Sequence, residues 1–232
     1  MQETQFSFSA ADAALIAGYR WPSERKRAVV QIAHGMGEHA GRYRRFAGAL
    51  VAAGYAVYAN DHRGHGRTAP SSQALGDFGQ AGFAALVSDM AALTRLIMTV
   101  HPGCPVILFG HSMGSFAAQL YLCEHASLLA GVILSGSAAL DLRIEARNSA
   151  KDRFPGLNAQ FEPARTPFDW LSRDTVEVDA YLADPLCGFT LTPASSASMT
   201  DSSLKMADVV ALKNLPGDLS MYLLTGDSDP VN

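Results

Sequence analysis

The sequence predicts an α/β fold built on a mostly parallel sheet with helices on both faces, and three observations predict it. Short apolar runs rich in Val, Ile and Leu alternate with segments of helical period, as strands and crossover helices do. The run at 105–109 leads through Gly110-His111-Ser112-Met113-Gly114 directly into a stretch of good helix formers, a strand-turn-helix unit. The alternation then stops after Ala139 and resumes only near Leu219, too long a gap for an ordinary connection.

Taken in order, 4–9 and 15–21 alternate enough to be an antiparallel pair near a sheet edge, closed by Trp21-Pro22. Residues 27–33 are a buried-type strand, 42–53 a helix ended by Gly54, and 55–59 the next strand. The segment 81–100 carries Phe83, Leu86, Val87, Met90, Leu93 and Ile97 at helical spacing, stopped by His101-Pro102-Gly103. Strands follow at 105–109, 130–135 and 219–225. Parallel neighbours joined by helices imply right-handed crossovers. The interval after Ala139 has prolines at 155, 163, 167, 185 and 193 and no strong strand, so it reads as an insertion of short helices. Such an insertion would lie over the carboxyl edge of the sheet, where these folds bind ligands. The expected organisation is a core at 1–139, a cap at 140–212 and a continued core at 213–232.

With 232 residues, 48% of them apolar and 17% charged, the chain can bury one sizeable core. Its formal charge of -4 supplies no electrostatic attraction for nucleic acid or an anionic membrane surface. The expected partner is a small molecule, with at most peripheral membrane contact. Three cysteines at 104, 123 and 187 have no metal-like spacing and are expected as free thiols. The amino terminus lacks the features of a signal peptide and no apolar run reaches spanning length, so a cytoplasmic location is expected.

The Gly-x-Ser-x-Gly turn is where chemistry is expected. Gly110 and Gly114 let strand and helix approach closely while the turn exposes the Ser112 hydroxyl, with the Met113 amide directed where an oxyanion would form. The alternative is a glycine-rich turn whose serine caps the helix. A nucleophilic serine needs a base and an acid, in chain order serine, acid, histidine for this kind of elbow. Asp229, in the turn after the 219–225 strand, is the candidate acid, ahead of Asp227. The loop Ala33-His34-Gly35-Met36-Gly37-Glu38-His39 can bring the Met36 amide to the nucleophile as a second oxyanion donor. His34 and Glu38 are weak as metal ligands, and Glu38 reads as a charge favoured by a helix amino terminus. Asp61-His62-Arg63-Gly64-His65-Gly66 reads as a loop brace. No cofactor or metal is expected.

His34-Gly35-Met36-Gly37-Glu38-His39 with Arg42-Tyr43, then Asp61 to Gly66, then Gly110 to Gly114, resemble in order and spacing the monoacylglycerol lipase and lysophospholipase branch of the α/β-hydrolases, which is also the branch of S33-like serine aminopeptidases. The resemblance implies the α/β-hydrolase fold with a helical cap, Ser112 as nucleophile, Met36 and Met113 as oxyanion amides and Asp229 as triad acid. It implies a serine carboxylester hydrolase that works through an acyl-enzyme on a lipid-like ester. An aminopeptidase would need cap carboxylates for an ammonium group, for which Glu162, Asp169 and Glu177 are available. A non-catalytic ligand-binding member of the fold is a further alternative. All seven histidines precede Asp229, whereas the family pattern places one after it. The expectation is therefore a hydrolase that lacks its C-terminal part, is nearly inactive as given, and leaves the 219–225 strand as an unpaired apolar edge.

Overall fold

The computed structural model describes residues 2–139, 154–204 and 215–231. Expectations for 140–153 and 205–214 lie outside the described residues.

Seven strands form one sheet: β1 (Thr4–Ser9), β2 (Leu15–Trp21), β3 (Val29–Ala33), β4 (Ala56–Asn60), β5 (Val106–His111), β6 (Gly131–Ser135) and β7 (Ser220–Leu224). Their spatial order is β1-β2-β4-β3-β5-β6-β7. The first two pairings, β1 with β2 and β2 with β4, are antiparallel, and the remaining four are parallel. Each sequence-predicted strand forms, with bounds displaced by a residue or two.

Side chains of the central strands alternate between two apolar layers. Val30, Ile32, Val57, Ala59 and Phe109 pack with Ala47 of α1 (Arg44–Ala52) on one face. Leu108, Val132 and Leu134 pack on the other face against α2 (Gly82–Val100) and α3 (Met113–His125), through Phe83, Leu86, Met90, Phe116 and Tyr121. Burial on both faces is why these runs are continuously apolar. By length and composition α2 is apolar enough to cross a membrane, which corrects the sequence expectation that no run reaches that length. Phe83, Leu86, Met90, Leu93 and Ile97 of that helix are fully buried in the protein.

The register brings the site together. Ala33 lies opposite Gly110, His111 opposite Ser135, and Ser135 opposite Leu224. The loops after β3, β5, β6 and β7 therefore leave the sheet side by side at its carboxyl edge. At the far end of the order, β7 is exposed along its length, with Tyr222 and Leu223 showing 63% and 67% of their surface.

The segment expected to be a single cap is divided. Residues 159–173, two short 3-10 turns, and α4 (Thr175–Ala183) lie by the carboxyl edge. In contrast, α5 (Pro193–Leu204) packs on α2 and α3, where Ser195 and Ser198 hydroxyls accept the main-chain N–H groups of Phe78 and Phe83 at 2.9 Å.

Candidate active site

Ser112 sits between β5 and α3 with φ 51° and ψ -120°, a left-handed conformation that costs a non-glycine residue about 1–3 kcal/mol. Its surroundings hold it there. Its N–H donates to Ser135 O at 2.9 Å, and its carbonyl accepts from the N–H groups of Ser115 and Phe116 and from the Ser115 hydroxyl. A Cβ on Gly114 would stand 2.2 Å from Ala33 O, and one on Gly110 would stand 2.6 Å from Gly114 O. Only glycine at both positions lets strand, helix and the next loop pass this closely.

The loop after β3 reaches the serine. A Cβ on Gly35 would be 3.3 Å from Ser112 Cβ. Among the hydrogen bonds of the described residues, none uses the N–H of Met36 or of Met113. Met113 opens α3, where main-chain N–H groups lack helical acceptors and attract negative charge.

Asp229 belongs to the turn after β7. Its Oδ1 accepts from Val231 N at 2.9 Å and its Oδ2 lies 3.3 Å from Thr225 Oγ1. Gly136 lies between Asp229 and His111, since a Cβ there would be 3.3 Å from Asp229 Oδ2 and 3.2 Å from His111 Cε1. The runner-up acid, Asp227, instead points outward and pairs with Arg173 at 2.6 Å. All seven histidines precede Asp229, and His111 is the one that lines the cavity with it, its Nδ1 3.2 Å from Ser135 Oγ.

Ser112 and Asp229 line a cavity of about 570 Å³, to which the cap contributes Phe161, Trp170, Leu171 and Val178. Asp169 also lines it, but its carboxylate is committed to a local turn. It accepts from the Thr166 hydroxyl and from the N–H groups of Thr166 and Arg165, bonds that hold its pKa below the ordinary value. Glu162 accepts from Ala164 N and Glu177 pairs with Arg45, so the three candidate ammonium-binding acids each have partners elsewhere.

Glu38 does not act as a helix-terminal charge, contrary to the sequence reading. The residue capping the 3-10 turn Ala40–Tyr43 is His39, while the Glu38 carboxylate accepts from Gly35 N at 2.6 Å and Tyr43 OH at 2.7 Å and lies 3.3 Å from Arg42 Nε. The 61–66 segment braces the loops: Asp61 accepts from Ala40 N and Arg67 N at 2.8 Å, and His62 N donates to His34 Nε2 at 3.0 Å. Arg63 is gripped by Asp89 and Asp12. Burial depresses the pKa of His62 to about 3 and of His65 to about 4, and holds His34 well below the ordinary value. One potential metal-binding group stands among the described residues, His39 with Asp184 and Cys187. His39 Nδ1 accepts from Gly41 N, which places the ring proton on Nε2 facing Asp184 Oδ2 at 2.9 Å. The pair is a hydrogen bond tying loop to cap.

A mostly parallel sheet with a serine elbow at its carboxyl edge, an adjoining glycine loop and a helical cap defines an α/β-hydrolase. The family model described as serine aminopeptidase, S33 matches residues 24–232, and the chain belongs to that family of serine hydrolases, within the monoacylglycerol lipase and lysophospholipase type. It is 33% identical over 201 residues to a monoacylglycerol lipase of Mycolicibacterium smegmatis, spanning 84% of this chain and 69% of that protein. With the monoglyceride lipase of Homo sapiens it shares 32% identity over 181 residues, 74% of this chain and 56% of the relative. A thermostable carboxyl esterase from Bacillus coagulans superposes with a TM-score of 0.84 at 28% identity, covering 100% of this chain and 82% of that one.

Proposed function

We propose that the protein is a serine carboxylester hydrolase acting on a small lipid-like ester of the monoacylglycerol or lysophospholipid kind. Ser112 Oγ attacks the ester carbonyl, the alcohol leaves, and water releases the acid from the resulting acyl-enzyme. The N–H groups of Met36 and Met113 hold the oxyanion, and Asp229 is the acid that would orient a histidine base, which the family pattern places after it and which would take the Ser112 proton and pass it to the leaving alcohol. The observation that carries this reading is the strained Ser112 beside two main-chain N–H groups with no acceptor among the described residues. An uncharged acyl substrate suits the apolar side chains that the cap adds to the cavity. Asp169, bound to its own turn, leaves an aminopeptidase substrate's ammonium without a dedicated partner. The lipase and esterase names of the relatives point the same way.

Fluorophosphonate labelling tests the assignment, because it reports an activated serine nucleophile with its oxyanion hole and requires no deacylation. The chain is expected to label at Ser112 and to turn over an acylglycerol and lysophospholipid panel only weakly, and Ser112→Ala to lose both. Labelling that persists in Ser112→Ala, or an adduct on another residue, would overturn it.

A further inference from the structure

Gly35 is held by side chains at both of its main-chain polar atoms. Its N–H donates to Glu38 Oε1 at 2.6 Å, and its carbonyl lies 2.8 Å from His34 Nδ1. The direction of the second bond is fixed. His34 Nε2 already accepts the His62 N–H, so the ring proton is on Nδ1 and Gly35 O is the acceptor. Burial keeps the His34 ring neutral, and a neutral ring with one nitrogen accepting has a single tautomer.

That bond decides where the next N–H points. In a trans peptide the N–H of Met36 is directed opposite to the carbonyl of Gly35, and the cis bond of the described chain is elsewhere, at Glu162-Pro163. One residue further on, the Gly37 N–H is occupied by His65 Nε2 at 3.4 Å. Of three successive N–H groups, those of Gly35 and Gly37 have side-chain acceptors and that of Met36 has none among the described residues. Glu38 is itself fixed by Tyr43 OH and Arg42, so the whole turn hangs on a rigid carboxylate.

From this geometry we infer that His34 and Glu38 are positioning residues for the reaction, which together aim the Gly35-Met36 peptide so that its N–H meets the oxyanion formed at Ser112. The His34 bond to the carbonyl also polarises the peptide and makes its N–H a stronger donor. This rests on the reading of Ser112 as the nucleophile.

The test measures tetrahedral adduct formation separately from ordinary ligand binding, in the 232-residue chain. Hexylboronic acid reports the adduct, and decan-1-ol reports occupancy of the apolar cavity. Glu38→Ala is expected to weaken the boronate by about tenfold or more, toward the loss seen when an oxyanion donor is removed, with decanol binding unchanged within about twofold. Glu38→Gln keeps an oxygen that can accept from Gly35 and Tyr43, and is expected to restore boronate binding to within about threefold of wild type. His34→Asn, which can present an N–H where Nδ1 stands, is expected to bind the boronate better than His34→Leu. Wild-type boronate affinity in Glu38→Ala, or boronate and decanol affinities falling together, would overturn the inference even if the His34 variants fail to fold. Equal boronate binding by wild type and Ser112→Ala would instead remove the reading of Ser112, and this inference with it.

Discussion

Acidification to pH 5.5 is expected to remove about 4 kcal/mol of folding stability through three histidines beneath the oxyanion loop. His34, His62 and His65 are at most 1% exposed, with ring centroids of His34 only 4.2 Å from His62 and 5.2 Å from His65. Desolvation lowers all three native pKa values, to about 3 for His62 and about 4 for His65, and well below the ordinary value for His34. In the unfolded chain each titrates near 6.5. Between those limits the unfolded state binds protons that the native state refuses, so stability rises with pH and falls as the solution is acidified. From pH 7.5 to 5.5 each histidine contributes RT ln 10, about 1.4 kcal/mol, whatever its native pKa so long as it stays well under 5.5. Three give about 4 kcal/mol, a large share of a typical stability of about 5–15 kcal/mol. Asp61 and Asp89, whose carboxyl groups burial holds above the usual range, act with the opposite sign and reduce the slope. Urea unfolding at the two pH values measures the difference, about 1.3 M in midpoint for a slope near 3 kcal/mol/M. His65→Gln, which can still accept the Gly37 N–H, is expected to remove about a third of the effect. A total difference below about 1.5 kcal/mol, or one that His65→Gln leaves intact, would refute the reasoning.

Gly114→Ala drives a Cβ to within 2.2 Å of Ala33 O and 2.5 Å of His34 O, so it is expected to cost about 2–3 kcal/mol in urea unfolding and to abolish fluorophosphonate labelling. Asp89→Ala leaves the buried Arg63 guanidinium with the half-exposed Asp12 as its remaining carboxylate, a loss of about 3 kcal/mol in the same assay, while Asp12→Ala costs much less. Tyr222→Lys with Leu223→Glu on the exposed β7 edge is expected to reduce self-association in light scattering with the thermal midpoint unchanged within about 2 °C. Equal scattering before and after that change would show that β7 is not the adhesive edge.

The parts of this protein that were legible in its sequence are those written in local pattern. Continuous apolar runs such as Val29 to Ala33 and Val106 to Phe109 announce strands because both faces of the sheet are covered, and the pairing of β1 with β2 follows from alternation. The Ser112 elbow and the Met36 loop were legible because their glycines stand directly after apolar strand runs, where they mark a close approach of backbones, and because the motifs follow one another in order. What escaped were contacts fixed only in three dimensions. Glu38 looks like a helix charge until its carboxylate is seen on Gly35 and Tyr43. Helix α5 looks like cap because it is serine-rich and weakly amphipathic, yet those serines are its means of attachment: Ser195 and Ser198 satisfy N–H groups at the turn into α2 and its start. Hydroxyl-to-backbone docking of this kind leaves no apolar stripe to read.

The cap is held by two sets of contacts of unequal strength, and the difference bears on the oxyanion loop. Toward that loop, Gly188 N donates to Gly37 O at 2.9 Å, His39 bonds Asp184, and the Arg42 guanidinium lies 5.0 Å from the centre of the Tyr181 ring. Gly37 fits this seat because it has φ +68° and no Cβ, where one would stand 2.9 Å from Phe189 O. Toward the turn of Asp229, the arm at 159–173 is joined by the Arg173–Asp227 pair, both side chains nearly four-fifths exposed, and by Gln160 Nε2 donating to Ser228 O. An exposed pair of that sort contributes at most about 1 kcal/mol, whereas partly buried hydrogen bonds and a stacked cation add cooperatively. Displacing the arm therefore costs less than displacing the seat. The Met36 N–H beside Ser112 belongs to the loop with the stronger attachments, and that of Met113 to the start of α3, so neither depends on the weakly held rim of the cavity.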